Sequence, residues 1–275
     1  MEISGRVAIV TGGASGAGRA IALGLARRGA AGVVVSDVDP DGAATVAAEI
    51  EKAGCRALAL GADVSRQEDI DHLVTGCEAA FGPVSLFFSN AGIIVPGGPE
   101  AADDAWSRIW AVNVQSHVYV ARSVLPGMLA RGEGYLVITA SAAGLLTQLG
   151  SAPYAVTKHA AVAMAEWLSI TYGDQGIRVS CLCPQAFTSN LLSTSVRELG
   201  GAPLQNARGG SAQAAVDGVL TAEQVAESAL DAIGTEQFLI LPHPEVATYE
   251  RRRADDRERW LRGMRRMQAR LAGPA

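Results

Sequence analysis

The stretch over residues 6–28 limits the possible folds of this chain more than any other. It runs Arg6-Val7-Ala8-Ile9-Val10-Thr11, then Gly12-Gly13-Ala14-Ser15-Gly16-Ala17-Gly18, then a helical run over about 19–28. An apolar run of strand length, a glycine-rich turn and a helix in direct succession form the first half of a βαβ unit. Gly12, Gly16 and Gly18 remove side chains where a pyrophosphate must approach backbone N–H groups and a helix N-terminus. A dinucleotide site is therefore expected here.

The next apolar run, Gly32-Val33-Val34-Val35-Ser36-Asp37, ends in an acid nineteen residues after Gly18. At the end of a second strand, a carboxylate accepts hydrogen bonds from the adenosine ribose and repels a 2′-phosphate. Val38 beside it supplies no compensating cation, and Arg19 reads as an exposed helix residue. Asp37 thus predicts NAD, with NADP the less favoured cofactor. The plain alternative is an acidic turn residue before Asp39-Pro40.

The same alternation continues. A helix over about 40–53 leads to a strand over 56–61, ending at Asp63-Val64, which a doubly wound sheet sets beside the adenine. A helix over 67–81 precedes a strand over 84–89 that runs into the small residues Asn90-Ala91-Gly92. One long helix is expected over 103–130, with Trp106, Trp110 and His117 at helical spacing to Asn113. The tryptophans read as packing residues and His117 as a satisfied histidine. Further strands are expected over 135–140, 177–183 and 237–241, and a helix over 222–233. This pattern predicts an α/β fold: a doubly wound (Rossmann) parallel seven-stranded sheet with helices on both faces, and its ligand crevice at the C-terminal strand ends.

Ser141 closes the apolar run over 135–140, and Tyr154 and Lys158 follow four residues apart, on one face of a helix that runs to about 172. A phenol titrating near pH 10 is a poor acid–base catalyst at neutral pH, and a cation one turn away is expected to lower that value. Ser141 would hold a substrate oxygen in line with the phenol. Lys158 is one of only two lysines, the other being Lys52, among twenty-three basic residues.

A net charge of −5 argues against nucleic acid as a partner. No run of eighteen apolar residues exists, so no membrane span is expected, and a start directly into strand-like sequence suggests a cytoplasmic protein. Cys181 and Cys183 alternate with Leu182 on one side of a strand, which is core rather than zinc spacing, and no metal site is expected. Residues 1–244 read as one catalytic domain, with an irregular excursion over 190–217, containing Gly200-Gly201 and Gly209-Gly210, as its lid or substrate loop. The tail over 245–275 carries +4 against −9 for the remainder. Trp260, Met264, Met267 and Leu271 make it one amphipathic helix, packing on its own domain or on a neighbouring subunit.

Together these residues resemble the classical short-chain dehydrogenases/reductases over about 4–242. The run from Thr11 to Gly18 is similar to that family's T-G-x-x-x-G-x-G cofactor motif, and Asn90-Ala91-Gly92 to its N-A-G motif, with Ser89 where a second Asn is common. Asn113, Ser141, Tyr154 and Lys158 fall in the order of its catalytic tetrad. The resemblance implies hydride transfer between nicotinamide and a secondary alcohol or carbonyl, with Tyr154 as general acid/base. It implies that Lys158 holds the nicotinamide ribose, Ser141 orients the substrate oxygen and Asn113 holds a relay water. The cofactor set it implies comprises Gly12, Ser15, Gly16, Ala17, Gly18, Asp37, Asp63, Val64, Asn90, Ala91, Gly92, Tyr154, Lys158, Pro184 and Phe187. It adds Ser189, five residues past the proline, rather than Thr188 as the carboxamide partner. A homodimer or homotetramer paired through the Asn113 and Tyr154 helices is implied, with Ala155, Ala160, Ala161 and Ala165 allowing close approach. Gln185 departs from the family, which usually has glycine there; its amide is free to bond substrate or cofactor.

The leading reading is an NAD-dependent dehydrogenase of small-molecule secondary alcohols or ketones, with Leu145, Leu146, Gln148, Gln185 and Phe187 in its pocket. The alternatives are an NADPH-dependent 3-oxoacyl-thioester or polyketide-type ketoreductase, and a non-catalytic NAD(H)-sensing protein.

Overall fold

The structure, a computed structural model, describes residues 1–189, 191–199, 213 and 215–272. Seven strands, β1 (Val7–Thr11), β2 (Gly32–Asp37), β3 (Ala57–Gly61), β4 (Leu86–Ser89), β5 (Gly134–Thr139), β6 (Ile177–Leu182) and β7 (Leu239–Ile240), form one sheet. Every pairing is parallel and the order is β3-β2-β1-β4-β5-β6-β7. The chain winds outward from β1 to β3, then returns to β4, so a topological switch point lies between β1 and β4. β1, β4 and β5 are buried along their whole length, which is why they read as unbroken apolar runs rather than alternating ones.

Alternate side chains of each strand face opposite layers. Ala8, Val10, Phe88 and Val137 pack with α1 (Gly16–Arg27), α2 (Pro40–Lys52) and a helix over Ala222–Thr235. Val7, Ile9, Phe87 and Leu136 face α3 (Gln67–Phe81) and the helices that follow β4. The expected α/β sandwich is the observed one. α1 begins at Gly16 rather than near residue 19, so Gly16 and Gly18 belong to its first turn.

Four expectations need correction. The long helix over 103–130 is broken into α4 (Asp103–Trp110), a π turn (Ala111–Gln115) and α5 (Ser116–Arg131). Asn113 sits at the centre of the π turn. Its Oδ1 accepts from the Ile93 N–H at 2.9 Å and its Nδ2 donates to the Ile93 carbonyl at 2.9 Å, pairing the turn with the strand-end loop. The wide turn also shifts the helical phase. His117 is 1% exposed while Trp110, seven residues earlier, is 44% exposed and so is not a packing residue.

Second, part of the 190–217 excursion is regular: α8 spans Leu191–Glu198. Positions 190, 200–212 and 214, including both glycine pairs, lie outside the described residues. Third, the tail is two helices. With α6 (Ala143–Leu146), α7 (Ala152–Tyr172) and α9 (Ala222–Thr235) placed, these are α10 (Glu245–Asp255) and α11 (Arg257–Ala272). Asp256 adopts extended backbone between them, and its Oδ1 caps α11 by accepting from the Arg259 N–H at 2.8 Å. Fourth, of the four alanines expected at a subunit contact, Ala161 and Ala165 are fully buried and Ala155 nearly so, facing their own domain because α7 lies against the π turn and α6, whereas Ala160 is half-buried. The outer face of α7 carries Val156, Trp167 and Ile170 instead.

No helix among the described residues is long and apolar enough to cross a membrane. Cys181 and Cys183 are free and buried, their sulfurs 3.7 Å apart.

Candidate active site

The C-terminal ends of β1, β4, β5 and β6 open into one cleft of about 1370 Å³. At the β1 end, Gly12, Ser15, Gly16, Ala17 and Gly18 form its floor. A Cβ on Gly18 would lie 2.0 Å from the Gly12 carbonyl oxygen, and Gly12 itself has φ of +65°. Only glycine permits both, and the result is a side-chain-free cradle where α1 begins. No side chain caps the α1 N-terminus, so its leading N–H groups stay open to a ligand.

Asp37 lies at the rim of the cradle. Its Oδ2 accepts from the Ala14 N–H and its Oδ1 from the Asp39 N–H, both at 3.0 Å. Arg19 is paired with Glu49 at 2.6 Å. Asp63 and Val64 line the cleft farther along. Burial alone raises the Asp63 carboxyl, but hydrogen bonds from Ser65 and Arg108 outweigh it and hold it below the usual range. Its ion pair with Arg108 is 3.0 Å long.

Asn90, Ala91 and Gly92 line the middle. The Asn90 side chain ties strands together: its Nδ2 donates to the Thr11 carbonyl at 3.0 Å and its Oδ1 accepts from Thr139 Oγ1 at 3.1 Å. Thr11 Oγ1 in turn accepts from the Asn90 N–H at 3.0 Å. Gly92 is tight, since a Cβ there would stand 3.4 Å from Lys158 Nζ.

Ser141, Tyr154 and Lys158 border the same cleft. Ser141 Oγ accepts from the Ala143 N–H at 3.1 Å, which turns the hydroxyl at the start of α6. Lys158 Nζ donates to the Thr139 carbonyl at 2.8 Å and stands 5.7 Å from the centroid of the Tyr154 ring. The expected lowering of the phenol by its neighbour does not appear. Burial pushes Tyr154 up, against a smaller opposing effect of the nearby Ser141 hydroxyl. Burial likewise brings the Lys158 ammonium down to about 8. Desolvation disfavours the charged form of both groups and is the largest effect on each.

Asn113 does not border the cleft; it is fully buried behind Gly92, and its amide is engaged by Ile93 and by Thr157 Oγ1 at 3.3 Å. His117 Nδ1 lies 2.6 Å from Ser89 Oγ, whereas its Nε2 is buried without a partner among the described residues, so the ring is only half satisfied. Burial, helped by the Lys158 charge, holds it down at about 3, and the imidazole is neutral.

Beyond β6, Pro184, Phe187 and Ser189 line the cleft. Thr188 is turned away, its hydroxyl donating to the Leu220 carbonyl at 3.2 Å. Gln185 lines the cleft, but its amide nitrogen is already engaged. Its Nε2 donates to Asp217 Oδ2 at 2.8 Å, and Asp217 Oδ1 accepts from the Tyr249 hydroxyl at 2.7 Å. Leu146 and Gln148 line the cleft, but Leu145 is buried in the core instead. Several contributors were missed from sequence: Thr11, noted only as the first residue of the glycine motif and not for its hydroxyl; Thr139, whose strand-end hydroxyl gives no local signal; and the tail, whose apolar stripe pointed to packing but not to the cleft.

A short chain dehydrogenase family model matches residues 6–199. The 1-deoxy-11-beta-hydroxypentalenate dehydrogenase of Streptomyces exfoliatus is 33% identical over 93% of this chain and 90% of its own length. The cyclohexanol dehydrogenase of an Acinetobacter species is 34% identical over 70% of this chain and 77% of its own. Among solved structures, a short chain dehydrogenase/reductase from Burkholderia phymatum in complex with NAD superposes with a TM-score of 0.86 at 32% identity. The match covers 94% of this chain and 96% of that one.

Proposed function

The chain belongs to the short-chain dehydrogenase family, oxidoreductases acting on hydroxyl or keto groups, and within it we propose an NAD-dependent dehydrogenase of secondary alcohols that also reduces the ketones. The observation that carries this reading is the shared cleft, which brings Ser141, Tyr154 and Lys158 to the same opening as the Gly12–Gly18 cradle.

The residues fit the cofactor. The cradle has no side chain where Gly12 and Gly18 meet, the α1 N–H groups are open, and Asp37 offers a carboxylate at the end of β2. Gly12, Ser15 to Gly18, Asp37, Asp63 and Val64 would hold the adenosine half. Asn90 to Gly92, Tyr154, Lys158, Pro184, Phe187 and Ser189 would hold the nicotinamide half. When bound, the nicotinamide supplies the hydride acceptor or donor.

The side chains supply the proton chemistry. Ser141 orients the substrate hydroxyl; Tyr154, after giving up its own proton to solvent, takes the substrate proton as a phenolate during oxidation, and as a phenol it donates that proton during reduction. Lys158, fixed by the Thr139 carbonyl, keeps positive charge beside the phenol. Asn113 positions the loop that carries Gly92 against Lys158. NAD rather than NADP follows from Asp37, because Arg19 is held by Glu49 and is not offered to a 2′-phosphate. The names of relatives acting on cyclohexanol and on hydroxypentalenate support hydroxyl-bearing small molecules as substrates.

The test is oxidation of a panel of secondary alcohols with NAD, followed at the reduced-nicotinamide absorbance. Tyr154→Phe is expected to lower kcat by about 10²-fold or more while NAD still binds. A variant that kept most of its rate would remove Tyr154 from the mechanism.

A further inference from the structure

The far wall of the cleft is built by the tail, not by the sheet. α10 packs on α6, directly after Ser141, and Trp260 of α11 packs against the core. Trp260, Gly263, Met264 and Met267 line the cleft at helical spacing, so α11 lays an apolar stripe over it. The clasp from Gln185 through Asp217 to Tyr249 fixes this wall to the end of β6.

Arg252 and Arg259 flank the corner between the two tail helices, and both line the cleft. Some surface arginines meet carboxylates, among them Arg19 with Glu49, Arg28 with Glu227 and Arg178 with Glu236. Among the described residues, neither Arg252 nor Arg259 has a carboxylate within ion-pair distance, although Asp255 and Asp256 lie between them. Asp256 is turned into the helix cap. Two exposed guanidinium groups therefore stand at the edge of the apolar stripe, outside ion-pair distance of the Asp255 and Asp256 carboxylates that line the cleft with them, and Arg266 and Arg270 follow farther along α11.

We propose that the substrate is an apolar ring alcohol that also bears a carboxylate, with Arg252 and Arg259 receiving the carboxylate while Ser141 and Tyr154 receive the hydroxyl. A guanidinium presents a planar fork of donors that matches a carboxylate. The stripe of Trp260, Met264 and Met267 covers the ring skeleton between the two ends. This substrate class rests on the reading of the site as a hydroxyl-oxidising one.

The full chain with NAD is assayed on hydroxy acids and their methyl esters in matched pairs, from 4-hydroxycyclohexanecarboxylate to the larger lithocholate. In at least one pair the acid is expected to have a kcat/KM about tenfold or more above its ester. Arg252→Gln/Arg259→Gln is expected to narrow that ratio by about tenfold, mainly through KM of the acid. Esters as good as acids in every pair, or an unchanged ratio in the variant, would overturn the proposal. So would a rise in KM for NAD rather than for the acid, which would assign the arginines to the cofactor. If no alcohol is oxidised, the enzymatic reading fails separately, and binding to the NAD-loaded protein decides the carboxylate question. Lithocholate must then quench tryptophan fluorescence at lower concentration than its ester, with the difference lost in the double variant and the quench absent in Trp260→Phe. Equal binding of acid and ester overturns the proposal.

Discussion

Lys158 Nζ stands 5.7 Å from the centroid of the Tyr154 ring while its hydrogen bond goes to the Thr139 carbonyl at 2.8 Å. The ammonium is thus held beside the phenol by the backbone of β5, in a place that burial makes costly for a charge. Its folded value of about 8 lies below the value of 10.5 expected for an unfolded chain. Between these two the unfolded protein binds more protons than the folded one, so stability rises with pH across that window. The penalty is fully present below about pH 8, and relieving it is worth on the order of 3 kcal/mol. Urea unfolding of the ligand-free wild type and of Lys158→Met should show the wild type gaining on the variant as pH rises from 8 towards 10. A difference independent of pH would show that the lysine is not desolvated.

The cradle gives a second prediction. Gly18→Ala places a Cβ 2.0 Å from the Gly12 oxygen, where both colliding atoms are held by backbone. Loss of about 2–4 kcal/mol is expected, with loss of NAD binding. Gly234 in α9 has open space around its Cβ position, and Gly234→Ala should instead stabilise by about 0.5–1 kcal/mol. Thermal unfolding of the two variants side by side checks both signs, and a Gly18→Ala protein as stable as the wild type would mean that the loop is not built as described.

Asp37 can be tested through charge alone. Asp37→Asn keeps an acceptor for the Ala14 or Asp39 N–H while removing the repulsion towards a 2′-phosphate. The ratio of kcat/KM for NAD over NADP is expected to fall by about tenfold or more. An unchanged ratio would place cofactor choice elsewhere.

The sequence was readable where structure is local. The strand, glycine turn and helix over 6–28 are contiguous, and their steric demands are met within a few residues, as Gly12 and Gly18 show. Tyr154 and Lys158 were equally legible, because four residues of helix bring them to one face. Asn113 was legible as a position but not as a conformation. Its π turn depends on Ile93, twenty residues away, and no periodicity reports that pairing. Gln185 was legible as a pocket residue, but its bond to Asp217 was not, because that partner is 32 residues distant, beyond a stretch without a clean period. The amphipathic tail announced a buried face, but only the folded chain shows that this face covers the cleft.

The clasp yields the last prediction. One carboxylate, Asp217, takes the Gln185 amide on Oδ2 and the Tyr249 hydroxyl on Oδ1, and so joins the end of β6 to α10. Hydrogen bonds to a charged acceptor contribute about 1.5–3 kcal/mol when enclosed, and less where the partners are half-exposed as these are. Gln185→Ala and Tyr249→Phe should each destabilise by about 1 kcal/mol. The two losses should not add, because either change frees the carboxylate that orders the other partner; a coupling of about 0.5 kcal/mol or more is expected in the double-mutant cycle. Each variant should also raise substrate KM more than it lowers kcat, since the tail wall loosens while Tyr154 and Lys158 stay on α7. Strictly additive losses, or a fall in kcat with KM unchanged, would mean that the clasp stabilises the fold without positioning the wall.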